Sequence, residues 1–168
     1  MVAAAALNRD MSDRVAALIF VSPNFAVNNR AAFMMTWPAA RYWLPLVLGG
    51  QRDRQIDNPE RAKYWTTTYP WSALPPMGTL VKTVAALDFS KARIPALFWI
   101  SDDDTVVRPD VTRRIAGQWG GPVTVVTATM GPGDDPNAHV IAGAIRSPGQ
   151  TEPAVRGMLD WLAKQGVN

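Results

Sequence analysis

The feature that most constrains this chain is the run Ile94-Pro95-Ala96-Leu97-Phe98-Trp99-Ile100, followed at once by Ser101 and three acids, Asp102, Asp103 and Asp104. From Ala96 to Ile100 there is no polar alternation. A strand that reads this way is buried on both faces, as in a parallel sheet covered by helices. Arg108-Pro109-Asp110 starts a helix soon after the acids. In open α/β sheets ligands sit beyond the carboxyl ends of the strands, so carboxylates there are placed for chemistry rather than for stability.

Two further apolar runs, 15–21 and 122–130, read as strands that can pair with it. Helices are expected at 76–87, with Leu80, Val84 and Leu87 on one face, and at 110–119, where Val111, Ile115 and Trp119 repeat every four residues. Gly120-Gly121 should close the second of these. A last helix is expected after Thr151, through Val155, Met158, Leu159, Trp161 and Leu162, and a short one from Val140. Residues 2–7 are alanine-rich and helical by propensity, ending at Asn8-Arg9-Asp10, with a turn at Ser12-Asp13-Arg14. Strands alternating with helices give an α/β fold: a three-stranded parallel sheet with flanking helices in a single domain over 1–168.

Residues 25–80 differ in character. They hold Trp37, Trp43, Trp65 and Trp71 with three tyrosines, broken by prolines at 38, 45, 59, 70, 75 and 76. Helical pieces at 31–37, 41–48 and 59–66 fit between the prolines. The segment reads as a helical insertion whose aromatics pack on one another. The same aromatics could also line a cap that binds the apolar part of a substrate.

Composition removes several classes of function. A chain of 168 residues with 48% hydrophobic and 18% charged residues can bury a core and is not of disordered type. The net charge of +3 comes from scattered Lys and Arg, unlike the clustered basic face of a nucleic-acid binder. The absence of cysteine excludes disulfides, thiol catalysis and thiolate metal sites. No apolar run reaches the roughly 18 residues of a membrane span, and the first residues make a poor signal peptide. The expected compartment is the cytoplasm.

His139 is the only histidine and follows a loop of turn formers, Gly131-Pro132-Gly133-Asp134-Asp135-Pro136-Asn137-Ala138. Taken in series, strand, insertion, Ser101-Asp102-Asp103-Asp104-Thr105-Val106-Val107, helix, strand and histidine loop, the chain resembles the C-terminal portion of an α/β-hydrolase of the bacterial esterase or lipase-like kind. Serine at 101 stands where the family usually has glycine. The resemblance implies that Asp104 is the triad acid and His139 the triad histidine, in the family's acid-before-histidine order. It also implies hydrolysis of a small-molecule ester or related acyl bond without a cofactor or metal. Trp37, Trp43, Trp65 and Trp71 would then be the substrate-binding residues of the cap.

One departure bears on activity. No Gly-x-Ser-x-Gly nucleophile elbow occurs. The uncapped helix at 2–7 matches the far end of the helix that should follow such an elbow, so the serine is expected upstream of residue 1. Alone, the chain should then be inactive as a serine hydrolase. Ser22, at the end of the first strand, is the one spatially reasonable substitute; Ser12, Ser72, Ser90, Ser101 and Ser147 read as turn and cap residues. A second enzymatic reading gathers Asp102, Asp103, Asp104, Asp134, Asp135 and His139 around Mg²⁺ or Ca²⁺. A third is non-catalytic: a hydrolase-like module that binds a ligand or partner. In the intact family the 15–21 strand is internal, so here its exposed edge should drive self-association.

Overall fold

The computed structural model describes residues 1–53, 56 and 58–167. In chain order its elements are α1 (Val2–Ala5), α2 (Arg9–Ser12), β1 (Leu18–Val21), α3 (Ala40–Leu48), β2 (Gln51–Asp53), α4 (Pro59–Tyr64), β3 (Thr68–Pro70), α5 (Leu74–Ala85), β4 (Ala96–Ile100), α6 (Pro109–Gln118), β5 (Val123–Thr127) and α7 (Pro148–Lys164). Short 3-10 segments lie at Arg30–Thr36, Trp71–Ala73 and Phe89–Lys91. The chain forms two compact units, Met1–Asn28 with Val84–Asn168, and Asn29–Thr83. The cap range of 25–80 includes Arg54, Gln55 and Asp57, which lie outside the described residues, as does Asn168.

The first unit is built on a parallel sheet in the order β1-β4-β5. β4 is central, and each of its five residues is buried, as its unbroken apolar run requires. Successive side chains alternate between two cores. Ala96, Phe98 and Ile100 join Phe20, Phe25, Phe89, Val111, Ile115 and Trp119 on one face. Leu97 and Trp99 meet Ile141, Ala154 and Trp161 on the other. The aromatic packing is specific: Phe20 stacks on Phe98 at 4.9 Å and Phe89 on Trp119 at 5.6 Å. The Trp119 indole donates to the Ile94 carbonyl at 2.8 Å, and that of Trp161 to Thr124 Oγ1 at 3.0 Å. Each helix is thereby pinned to the sheet by a polar tip on an apolar ring.

Several boundaries move. β1 begins at Leu18 rather than 15, because residues 12–15 turn (the Val15 amide bonds the Ser12 carbonyl), and Val15 is exposed. β5 ends at Thr127, and alternate residues along it face solvent, as befits an edge strand with one neighbour. The expected turn near residue 12 belongs to α2, started by Asn8, whose side chain accepts from the Met11 amide. α7 begins at Pro148, ahead of Thr151. The expected helix from Val140 is instead a turned segment in which Gly143 (φ +116°) and Ser147 form an antiparallel bridge.

The second unit is not wholly helical. Besides α3 and α4 it contains a two-stranded antiparallel sheet, β2 with β3, pairing Arg52 with Tyr69 and Asp53 with Thr68. Asn58 caps α4 by accepting from the amides of Glu60 and Arg61, with Pro59 in the first turn. Among the described residues no helix is long and apolar enough to cross a membrane.

Gly120 and Gly121 do not act as a left-handed cap, because neither has a positive φ. They are glycine because the backbone passes close by: a Cβ at Gly120 would lie 1.9 Å from the Ser90 carbonyl oxygen. Gly117, by contrast, sits in α6 with nothing within 4 Å of an added Cβ. Gly120→Ala should therefore destabilise the chain by about 1–3 kcal/mol. Gly117→Ala should stabilise it by about 0.5–1 kcal/mol through helix propensity. Urea unfolding of the two variants checks this, and shifts of the same sign would contradict it.

Candidate active site

The carboxyl ends of β1, β4 and β5 share one edge of the sheet, where the strands give way to Ser22, Ser101 and Ala128. Pairing continues one residue further through the Ser22 amide to the Trp99 carbonyl (3.0 Å) and the Ala128 amide to the Ile100 carbonyl (2.7 Å). The acid loop after β4 and the histidine loop after β5 therefore leave the sheet side by side.

The three consecutive acids diverge. Asp102 takes a bidentate grip from Arg113 of α6 (Nε to Oδ1 and Nη2 to Oδ2, both 2.7 Å), and that guanidinium also reaches Thr127 Oγ1. The Arg113 guanidinium holds the Asp102 carboxyl below its usual range. Asp103 is exposed; its amide donates to Ser101 Oγ at 3.3 Å. Asp104 turns inward and is 6% exposed. Its Oδ1 accepts from the amides of Val106 (2.8 Å) and Val107 (2.9 Å), and its Oδ2 lies 2.9 Å from His139 Nδ1.

This geometry defines the imidazole. A carboxylate oxygen facing Nδ1 favours the tautomer that carries its proton there, with Nε2 on the far side of the ring. The ring keeps 29% of its side-chain surface open, whereas the Asp104 side chain keeps 2%. Asp104 can thus orient the ring without itself meeting solvent. The two loops are also joined through backbone: the Thr105 amide donates to the Asn137 carbonyl at 3.0 Å. The acid loop is tied in turn to the segment after β1, through the Asn28 amide to the Val106 carbonyl and the Arg108 amide to the Ala26 carbonyl (each 2.9 Å).

The other candidates have surroundings of their own. Ser22 has a left-handed backbone (φ +41°), and its hydroxyl is buried with no hydrogen-bond partner among the described residues. Ser101 is buried and accepts locally. The six residues read as an oxygen-rich metal cluster do not form one: among the described residues no group of three or more such side chains could hold a metal ion. Asp134 accepts from the Gly131 and Gly149 amides and from Gln150, while Asp135 pairs with Arg146. The four tryptophans all fall in the second unit. Trp37 is half-exposed and packs between Phe33 (5.5 Å) and Trp43 (6.0 Å). Trp43 donates to the Pro38 carbonyl, and Trp65 and Trp71 lie under the guanidiniums of Arg61 and Arg52.

The chain is similar in structure to a soluble variant of monoglyceride lipase from Saccharomyces cerevisiae, solved with a substrate analogue. The TM-score is 0.64 at 10% identity, over 97% of this chain and 58% of the lipase chain. At that identity the likeness is one of fold: this chain has part of an α/β-hydrolase architecture and spans 58% of that neighbour's length. No protein-family model matches the sequence, and no curated protein matches it.

The site loops carry an acid-dependent stability. Backbone and side-chain donors hold the carboxyls of Asp102, Asp134 and Asp135 below their usual range. A carboxylate that titrates lower in the folded chain contributes stability above its unfolded value near 3.8, lost as pH falls through the folded value. The urea midpoint should therefore fall as pH drops below about 4, and Asp134→Asn should make that fall shallower. A flat midpoint, or a steeper fall in the variant, would contradict the assignment.

Proposed function

We propose that this chain carries the base and the orienting acid of a serine-hydrolase site that cleaves a carboxylic ester or related acyl bond. The observation that carries this reading is the 2.9 Å approach of His139 Nδ1 to the buried Asp104 carboxylate at the carboxyl edge of a parallel sheet. The family-like order of strand, acid, strand and histidine supports it, as does a fold shared with a lipase that was solved with a substrate analogue.

In this reading His139 Nε2 accepts the proton of an attacking serine hydroxyl and returns it to the departing alcohol, so that an acyl-enzyme forms and is then hydrolysed. Asp104 holds the ring in the productive tautomer and stabilises the imidazolium between those steps. The chemistry needs no cofactor. In this reading the serine and the oxyanion-hole donors come from polypeptide outside residues 1–168; Ser22, the candidate within it, has its hydroxyl buried. Trp37, Trp43, Trp65 and Trp71 are proposed to receive an apolar acyl or alcohol group, Trp37 offering the most open face.

Turnover of short and medium p-nitrophenyl esters tests the assignment. Residues 1–168 alone should be silent, and a polypeptide extended upstream in the gene should be active. In the longer protein His139→Ala should abolish turnover, and Asp104→Asn should lower kcat by on the order of ten-thousand-fold. Near-normal rates in either variant would sink the assignment.

One observation favours a second, non-catalytic property. The outer edge of β1 pairs with no strand among the described residues, and Val21 upon it is 43% exposed. Such an edge pairs readily with another chain. Residues 1–168 should self-associate in sedimentation, and Val21→Lys should shift them towards monomer; a wild-type monomer at high concentration would rule this out.

A further inference from the structure

We infer that a buried cluster formed by Asp135, Arg146 and Ser147 is a positioning device for His139. This rests on the reading of His139 as a catalytic base and names the residues that set its ring. The observation is that one carboxylate grips the chain on both sides of the histidine. Asp135 Oδ1 accepts from the Asn137 amide at 3.2 Å, two residues before His139, and Oδ2 accepts from the Val140 amide at 2.9 Å, immediately after it. The Asp135 carbonyl also accepts from the Ala138 amide at 2.8 Å. His139 is thus presented at the head of a loop whose two limbs are fastened to a single side chain.

That side chain is itself held. Asp135 is 3% exposed, and its Oδ1 pairs with the Arg146 guanidinium, also buried. The Asp135 amide donates to Ser147 Oγ at 3.1 Å, and the same hydroxyl donates to the Val140 carbonyl. Ser147 is fully buried and occupies the N-cap position of α7, yet its side chain makes no cap hydrogen bond. N-cap serines ordinarily accept from their own helix. Here the hydroxyl is diverted to the histidine loop, and the first turn of the helix is capped instead by Asp134, whose Oδ1 accepts from the Gly149 amide at 3.1 Å. The Ser147 carbonyl in turn accepts from Thr151, whose hydroxyl takes the Gly143 amide, so the loop's far end is anchored to α7.

The backbone shows what the cluster must offset. Ala138, buried and next to His139, has a left-handed conformation (φ +48°) that a residue with a Cβ adopts only where its surroundings impose it. The bonds of Asp135 to residues 137, 138 and 140 bracket that residue. Without them the loop can relax, and the imidazole loses its aim at Asp104 while the sheet and its two cores stay intact.

His139 is the only histidine, so its ring gives a single set of imidazole signals in nitrogen-edited NMR of residues 1–168, with no need for turnover. At a pH where the imidazole is neutral, the wild-type chain should show one tautomer, protonated at Nδ1, with a low-field proton protected from exchange by Asp104. Asp135→Asn and Ser147→Ala should each lose that proton signal and mix the tautomers. The indole signals of Trp119 and Trp161, bonded to Ile94 and Thr124, should not move, which reports that the sheet cores are intact. If the charge left on Arg146 unfolds the Asp135→Asn protein, Ser147→Ala decides alone, since it removes two bonds of the cluster and leaves the ion pair. Retention of the protected Nδ1 proton in either folded variant overturns the positioning role. Its absence from the wild-type chain is a different result: it fails the Asp104–His139 reading itself, and the positioning role with it.

Discussion

The site depends on one buried carboxylate having its hydrogen bonds filled from fixed directions. Asp104 accepts two amides from its own loop on one oxygen and faces the imidazole with the other. A buried carboxylate left short of donors is costly, so the loop conformation that supplies Val106 and Val107 is a condition of placing Asp104 inside. Ser101 helps to set that turn: buried at the end of β4, it takes the Asp103 amide on its hydroxyl. Asp102 is drawn the other way by Arg113, which joins the acid loop to α6 and to the end of β5. Three acids adjacent in sequence therefore have separate duties, one bracing the surface, one solvated and one aimed at the histidine.

The sheet supplies the rigidity this needs. β4 is buried on both faces by helices that use aromatic rings for contact and indole N–H groups for registration. Close packing of that kind gives small displacements a high cost. The loops that carry Asp104 and His139 start from neighbouring strands whose register is continued by backbone bonds beyond the strand ends. The geometry of the pair is thus largely decided before either side chain is considered.

Much of this was legible from sequence because it rests on patterns that physics leaves few ways to satisfy. An unbroken apolar run ending in acids, flanked by two more such runs and helical periodicity, specifies a covered parallel sheet with polar groups at its carboxyl edge. Other parts were hidden for identifiable reasons. The β2–β3 pair has no apolar alternation, and Pro70 lies within it, so it reads as loop. Residues 140–147 carry Val140, Ile141 and Ile145 yet turn rather than coil, because Gly143 takes a left-handed conformation. The two glycines after α6 suggest a helix cap, whereas their need is for close approach of two backbones, which only coordinates reveal. Asp135, Arg146 and Ser147 were missed as a group. Acids in a turn-rich loop usually face water, and only the fold brings an arginine and a serine eleven and twelve residues onward against one of them.

The proposal that Asp104 and His139 serve a serine on polypeptide outside residues 1–168 can be checked by finding where a serine-directed phosphonate lands. In the protein extended upstream, a single adduct is expected on a serine before residue 1, with labelling abolished by His139→Ala. An adduct on Ser22 or any other serine within 1–168, or labelling indifferent to His139, would contradict it.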